Sequence, residues 1–203
     1  ILHDIGKIDP EFQKWLSKKI KTQPDEITPD DGLHIDQKKF SFETHPRHQE
    51  ISWVLYLVML DDESLNQSQC KQIEHGIYWH HTRPFRKNDK FTEAAAIFSI
   101  FKKSLGTTEI HEVYSLAQEI LEEVAEFSKK HEDVATCVPN IKSKFDDVER
   151  GINLPSYKKY DEWSENIKEY QANVKENAIN NLVRSAVISA DRLISSLSAE
   201  DLS

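Results

Sequence analysis

An all-α fold is predicted for this chain of 203 residues by three features of its sequence. Apolar residues recur at three- and four-residue spacings along most of its length. Only five glycines are available for the tight turns that β-structure consumes, and no stretch alternates apolar with polar residues as a half-buried strand does. The length suits one domain with a sizeable core, and 38% hydrophobic against 30% charged residues is an ordinary globular balance. A single helical bundle over 1–203, with a few long loops, is the expectation.

The first element is a helix over 1–19, in which Phe12, Trp15 and Leu16, and then Ile20, share a face and Pro10 marks a break or a first turn. Two prolines, a glycine and several aspartates make 22–42 a polar loop. Pro46 opens the next helix, where Ile51, Val54, Leu55, Val58 and Met59 form one apolar face. The run Asp61–Ser64 ends it. A third helix covers 67–80 with Ile73 and Ile77 inward, 82–90 is a basic loop, and 92–105 is an amphipathic helix stopped by Gly106. Residues 109–130 make a long helix with glutamates on its outer side, and Pro139, Gly151 and Pro155 make 138–160 irregular. The last helix runs over 164–197, with Ile179, Leu182, Val183, Ala186, Val187, Ile194 and Leu197 as its apolar stripe. Trp15, Trp53 and Trp79 are expected in the core.

Charge excludes some functions. The net charge is −9, of which residues 1–103 contribute −1 and residues 104–203 contribute −8. The chain is therefore not a basic coat for nucleic acid, and a polyanion would have to meet a local patch in the first half. Two clusters qualify: Lys14, Lys18, Lys19 and Lys21, and Arg83, Arg86, Lys87 and Lys90 interleaved with Phe85 and Phe91. The longest apolar run, Val54–Leu60, is too short to cross a bilayer, so no membrane partner is expected. Cys70 and Cys137, far apart and outside any Cys-x-x-Cys pair, read as reduced thiols of a cytoplasmic protein. No nucleotide-binding Gly-x-x-x-x-Gly-Lys-Ser/Thr loop occurs.

Polar, metal-competent residues stand where apolar ones would continue the core faces. His3-Asp4 opens the chain's first element, His48 lies three residues before Ile51, and His80-His81 continue the buried face of Ile73. Asp191 falls four residues after Val187 and three before Ile194. Taken singly these residues have plainer explanations: Asp4 could cap a helix, and Asp191 could pair with Arg184 or Arg192. Taken together they are inward-facing groups whose burial costs several kcal/mol unless they share a partner. One or two divalent transition-metal ions (Mn, Fe, Ni, Co or Zn) would supply it, because neutral imidazole and carboxylate suit such ions. Two ions about 3.5–4 Å apart can hold both the attacking and the leaving oxygen of a phosphoester.

The ordered set His3-Asp4-x-Gly6-Lys7, His48 at a helix start, His80-His81 and late Asp191 resembles the HD superfamily of metal-dependent phosphohydrolases. Leu2-His3-Asp4-Ile5-Gly6-Lys7 with Phe12-Gln13, Arg47-His48-x-Glu50 and Ser189-Ala190-Asp191-Arg192 resembles, within it, the HD nuclease domain of the type I CRISPR interference nuclease-helicase. The resemblance implies that His3, Asp4, His48, His80, His81 and Asp191 are metal ligands. It implies that Asp4 and Lys7 take part in catalysis, Lys7 as a positive charge near the scissile phosphate. It also implies cleavage of single-stranded DNA, with RNA cut by some members, alongside a helicase domain or subunit and the CRISPR surveillance complex. Arg83, Arg86 and Lys87, directly after the His doublet, would then bind substrate. The family usually has a further His on a helix upstream of the His-Asp motif; either that helix precedes Ile1 or this protein builds its site without it. Two other functions compete: an HD phosphohydrolase for small nucleotides (a deoxynucleotide triphosphatase or cyclic-nucleotide phosphodiesterase), and an HD-fold scaffold without activity.

Overall fold

A computed structural model describes residues 2–22, 46–61, 65–81, 94–130, 140–141 and 173–197. Among them the chain is helical: a 3-10 turn Ile5–Ile8, then α1 Pro10–Thr22, α2 His48–Met59, α3 Gln67–Trp79, α4 Ala94–Leu105, α5 Thr107–Ser128 and α6 Val174–Ser196. The one departure is a minimal antiparallel pair, β1 Leu60–Asp61 and β2 Asn140–Ile141, in the register Leu60↔Ile141 and Asp61↔Asn140. It ties the exit of α2 to a distant segment and leaves the all-α class unchanged. The expected loops over 23–42 and 82–90, most of 138–160, and the part of the last helix before residue 173 lie outside the described residues.

The single helix expected over 1–19 is in fact two elements. Asp9 leaves the helical region (φ −52°, ψ 123°), and Pro10, which has no amide hydrogen to lose, takes the first position of α1. The Asp9 carboxylate, buried at 1% exposure, accepts the Phe12 amide at 2.9 Å and the Glu11 amide at 3.4 Å. This satisfies donors that every helix start leaves open. The break is what frees the His3-Asp4 segment to turn toward α2 rather than run on with α1.

The α2 helix starts two residues after Pro46. The Arg47 carbonyl accepts the amides of Glu50 and Ile51, while the Glu50 carboxylate accepts the Arg47 amide at 2.8 Å. Nine of its residues are buried, from His48 to Met59, so α2 is the hub of the core rather than an amphipathic flank. Ile51, Trp53, Val54 and Leu55 meet Ile77 and Trp79 of α3, Ile97 and Phe101 of α4, and Ile110, Val113 and Leu121 of α5 in one cluster. Trp53 closes it with an indole bond to the buried Glu74 carboxylate (3.0 Å). Asn66 opens α3 with a reciprocal cap to Gln69. Gly106, at φ +81°, ends α4 through its amide to Lys102 and starts α5, a conformation that L side chains avoid. Trp53 and Trp79 are core residues, as expected, whereas Trp15 is half-buried.

The last helix departs from its expected stripe. None of its residues is buried; Leu182 and Ile194 are 70% and 56% exposed. It docks on α3 along Val183 and Val187, which approach Gly76 so closely that a Cβ there would lie 3.3 and 3.7 Å from their methyls. The apolar pattern of this helix is thus wider than the face it buries.

Candidate metal centre

Four segments bring their His and Asp side chains to one place. The 3-10 turn lies across the first turn of α2, where the Gly6 amide donates to the Ser52 hydroxyl at 2.8 Å. Contact is so close that a Cβ on Gly6 would sit 2.1 Å from the His48 carbonyl oxygen and 2.8 Å from the Ser52 nitrogen. That approach delivers His3 and Asp4 to His48, one turn before Ser52. The end of α3 brings His80 and His81, and α6 brings Asp191.

Asp4 is the common member. One carboxylate oxygen, Oδ1, faces His48 Nε2 and His80 Nε2, each at 3.6 Å. The other, Oδ2, faces His3 Nε2 at 3.4 Å and the Lys7 ammonium at 2.6 Å. His3 Nε2 also lies 3.4 Å from Asp191 Oδ1. Two groups of candidate ligand atoms result, each with its atoms within 4.8 Å of one another: Asp4, His48, His80 and His81, and His3, Asp4 and Asp191. The capping explanation for Asp4 does not hold, because its side chain makes no cap bond at the 3-10 turn.

The protonation pattern is unfavourable for a protein left to itself. His80 Nδ1 lies 2.6 Å from the Ile77 carbonyl, and a carbonyl only accepts, so Nδ1 carries the hydrogen and Nε2 presents a bare lone pair. That lone pair faces a carboxylate oxygen, acceptor against acceptor. His3 Nε2, Asp4 Oδ1, His48 Nε2 and His80 Nε2 are all buried without a hydrogen-bond partner. Such orphaned groups are costly in a folded interior. Their clustering around two shared points, with nitrogen and oxygen donors only, fits divalent transition-metal ions.

Electrostatics keeps the set in ligand form. Burial opposes ionisation of Asp4, but the Lys7 ammonium at 2.6 Å outweighs it and holds the carboxyl below the usual carboxylate range. Burial, then the neighbouring His81, lowers His48 to about 2. Desolvation, then His80, lowers His81 to about 4. These imidazoles are neutral at pH 7 and available as donors.

A pH dependence follows. His48 refuses, down to about pH 2, a proton that an unfolded imidazole takes near 6.5. The unfolded chain therefore binds more protons below that pH, and stability present above about pH 7 is lost as pH falls through 6.5 and beyond. His75, lowered to about 4 by burial and then by Arg184, acts in the same sense. Urea melts of metal-free protein should show a lower midpoint at pH 5 than at pH 7.5; an unchanged or higher midpoint would contradict the buried neutral imidazoles.

His81 corrects an expectation. It lies beyond the end of α3, so helical periodicity no longer governs it, and the residue as a whole is exposed although its ring is desolvated on the side that meets His48 and His80. Its ring still packs on those of His80 and His48, with centroids 4.0 and 4.8 Å away. Asp191 is half-buried, and Arg184, a candidate partner for it, instead donates to the Trp79 carbonyl at 2.6 Å. Lys14 and Lys18 are exposed on α1, Lys14 pairing with Glu11. Arg83, Arg86 and Lys87 lie outside the described residues.

Sequence reasoning missed Ser52, the fully buried acceptor that fixes the 3-10 turn. A serine inside the run Ile51–Met59, one turn after His48, was the available signal. It also missed Asp9, whose position just before Pro10 marks a helix start.

The family model described as Cas3, HD domain, matches residues 1–196. No curated protein and no solved structure matches the chain. HD domains bind divalent metals, in keeping with the donor groups around Asp4. With all but the final seven residues matched, the chain belongs to the Cas3 HD-domain family, the nucleases of CRISPR systems.

Proposed function

We propose that this domain hydrolyses phosphodiester bonds of single-stranded DNA with two divalent transition-metal ions, acting in CRISPR interference beside a helicase domain or subunit. The observation that carries this reading is the sharing of Asp4 between two ligand groups, one oxygen turned to each. His48, His80 and His81 with Asp4 would hold one ion; His3 and Asp191 with Asp4 would hold the other. When bound, such ions make water a nucleophile near neutral pH and neutralise charge developing on phosphate.

The chain's own residues do the rest. The Ile77 carbonyl fixes the tautomer and orientation of His80. Lys7, half-buried at the edge of the cluster, keeps Asp4 ionised and offers a positive charge to a phosphate entering there. Arg83, Arg86 and Lys87, following the His doublet in sequence, would steer the strand toward it by charge.

The test is incubation of the purified chain with Mn²⁺ or Ni²⁺ and either labelled single-stranded DNA or a panel of deoxynucleoside triphosphates and cyclic nucleotides. Metal-dependent cutting of the strand, suppressed by chelator, is the expected result. Turnover of nucleotides with the strand left intact would replace this reading by the small-nucleotide phosphohydrolase.

A further inference from the structure

The two ligand groups are reached by different routes, and only one depends on α6. Asp191 is carried by a helix with no buried residue. Among the described residues that helix packs on α3, with Val183 and Val187 against Gly76, and a directional bond runs from Arg184 Nε to the Trp79 carbonyl at 2.6 Å. That carbonyl belongs to the last residue of α3, immediately before His80, and lies in the turn where helix carbonyls lack partners of their own. Two of those end carbonyls are thus taken: Ile77 by His80 Nδ1 and Trp79 by Arg184. Arg184 and Asp191 stand seven residues apart, two turns along one face of α6.

We infer that Arg184 is a positioning residue: its guanidinium is the strut that sets Asp191 against His3 by fixing α6 to the end of α3. Without it, the packing of α6 on α3 loses its directional bond to the end of α3, and the 3.4 Å approach of Asp191 to His3 is held less firmly in register. His48, His80 and His81 are untouched by this loss, because His80 is fixed by Ile77 within its own helix end and His48 by α2. The strut therefore serves one metal position selectively. This inference rests on the two-ion reading above.

Titration of metal-free protein with Mn²⁺, followed calorimetrically, tests it. The wild-type chain should take two ions. Arg184→Ala should keep the first with unchanged affinity and bind the second roughly 10–100-fold more weakly, the range typical for loss of a group that orients a ligand. Arg184→Lys, which keeps a donor of similar reach, should fall between. Leu182→Ser, on the exposed side of α6, should match wild type. Two wild-type affinities in Arg184→Ala, or parallel weakening of both ions, would overturn the strut. Should Arg184→Ala fail to fold, Arg184→Lys decides on the same criterion. A wild-type chain that takes fewer than two ions contradicts the two-ion reading instead. The strut is then judged in metal-free protein by amide exchange, which Arg184→Ala should accelerate in α6 and leave unchanged in α2; equal exchange in both proteins overturns it.

Discussion

Asp4→Asn is expected to remove nuclease activity while leaving the fold standing. The carboxylate is the one group common to both ligand sets, so loss of its charge weakens both positions at once. Rate should fall on the order of a thousandfold or more, about 4 kcal/mol of transition-state stabilisation. Bound metal should drop below one ion per chain. Stability should change little: the pair with Lys7 is partly solvent-exposed, and such pairs contribute roughly 0–1 kcal/mol. Asparagine also removes a charge that buried His neighbours now face without a cation. Metal analysis, a cleavage assay and a thermal melt on the same sample separate these effects. Activity within about tenfold of wild type would mean that Asp4 is not shared by the reacting centre.

Gly6→Ala should be as damaging by another route. Its new Cβ would meet the His48 carbonyl oxygen at 2.1 Å and the Ser52 nitrogen at 2.8 Å, and both are backbone atoms in the first turns of α2. Neither can rotate away as a flexible side chain does, so the 3-10 turn must lift off the helix. The bond from the Gly6 amide to the buried Ser52 hydroxyl breaks with it, leaving an unpaired polar group inside. Overpacking costs typically 1–3 kcal/mol and the orphaned hydroxyl a further 1–3, so a loss of about 3 kcal/mol or more is expected in denaturant melts. Metal affinity should fall in parallel, because lifting the turn carries His3 and Asp4 away from His48. Ser52→Ala, which breaks the bond without the clash, should give a smaller loss of both. A Gly6→Ala protein of wild-type stability would show that the close approach is not what seats the motif.

Much of the site was legible because helical spacing is a reliable guide to facing. His48 could be placed inward from Ile51, and His80 from Ile73 and Ile77, since all five sit within or at the end of regular helices. His81 could not, because α3 stops at Trp79 and a residue past a helix end is placed by its own dihedrals. The Gly6–Ser52 contact was out of reach for a different reason: it joins residues 46 apart, and sequence periodicity carries no information about which turn lies on which helix. The split of 1–19 was half visible in Pro10, but only the capping geometry of Asp9 shows where the chain turns. The expected burial of α6 failed because an apolar stripe states what a helix can bury, not what neighbours it has. Arg184 illustrates the same limit, being an unremarkable charge in sequence and a link between two helices in space.

The most direct measurement is anomalous diffraction from crystals soaked in Mn²⁺, recorded at the manganese edge. Two peaks flanking Asp4 are expected, one between His48 and His80 and one between His3 and Asp191. A map with no peak at Asp4, or with manganese only at sites remote from these five residues, would contradict a hydrolytic centre built on a shared carboxylate.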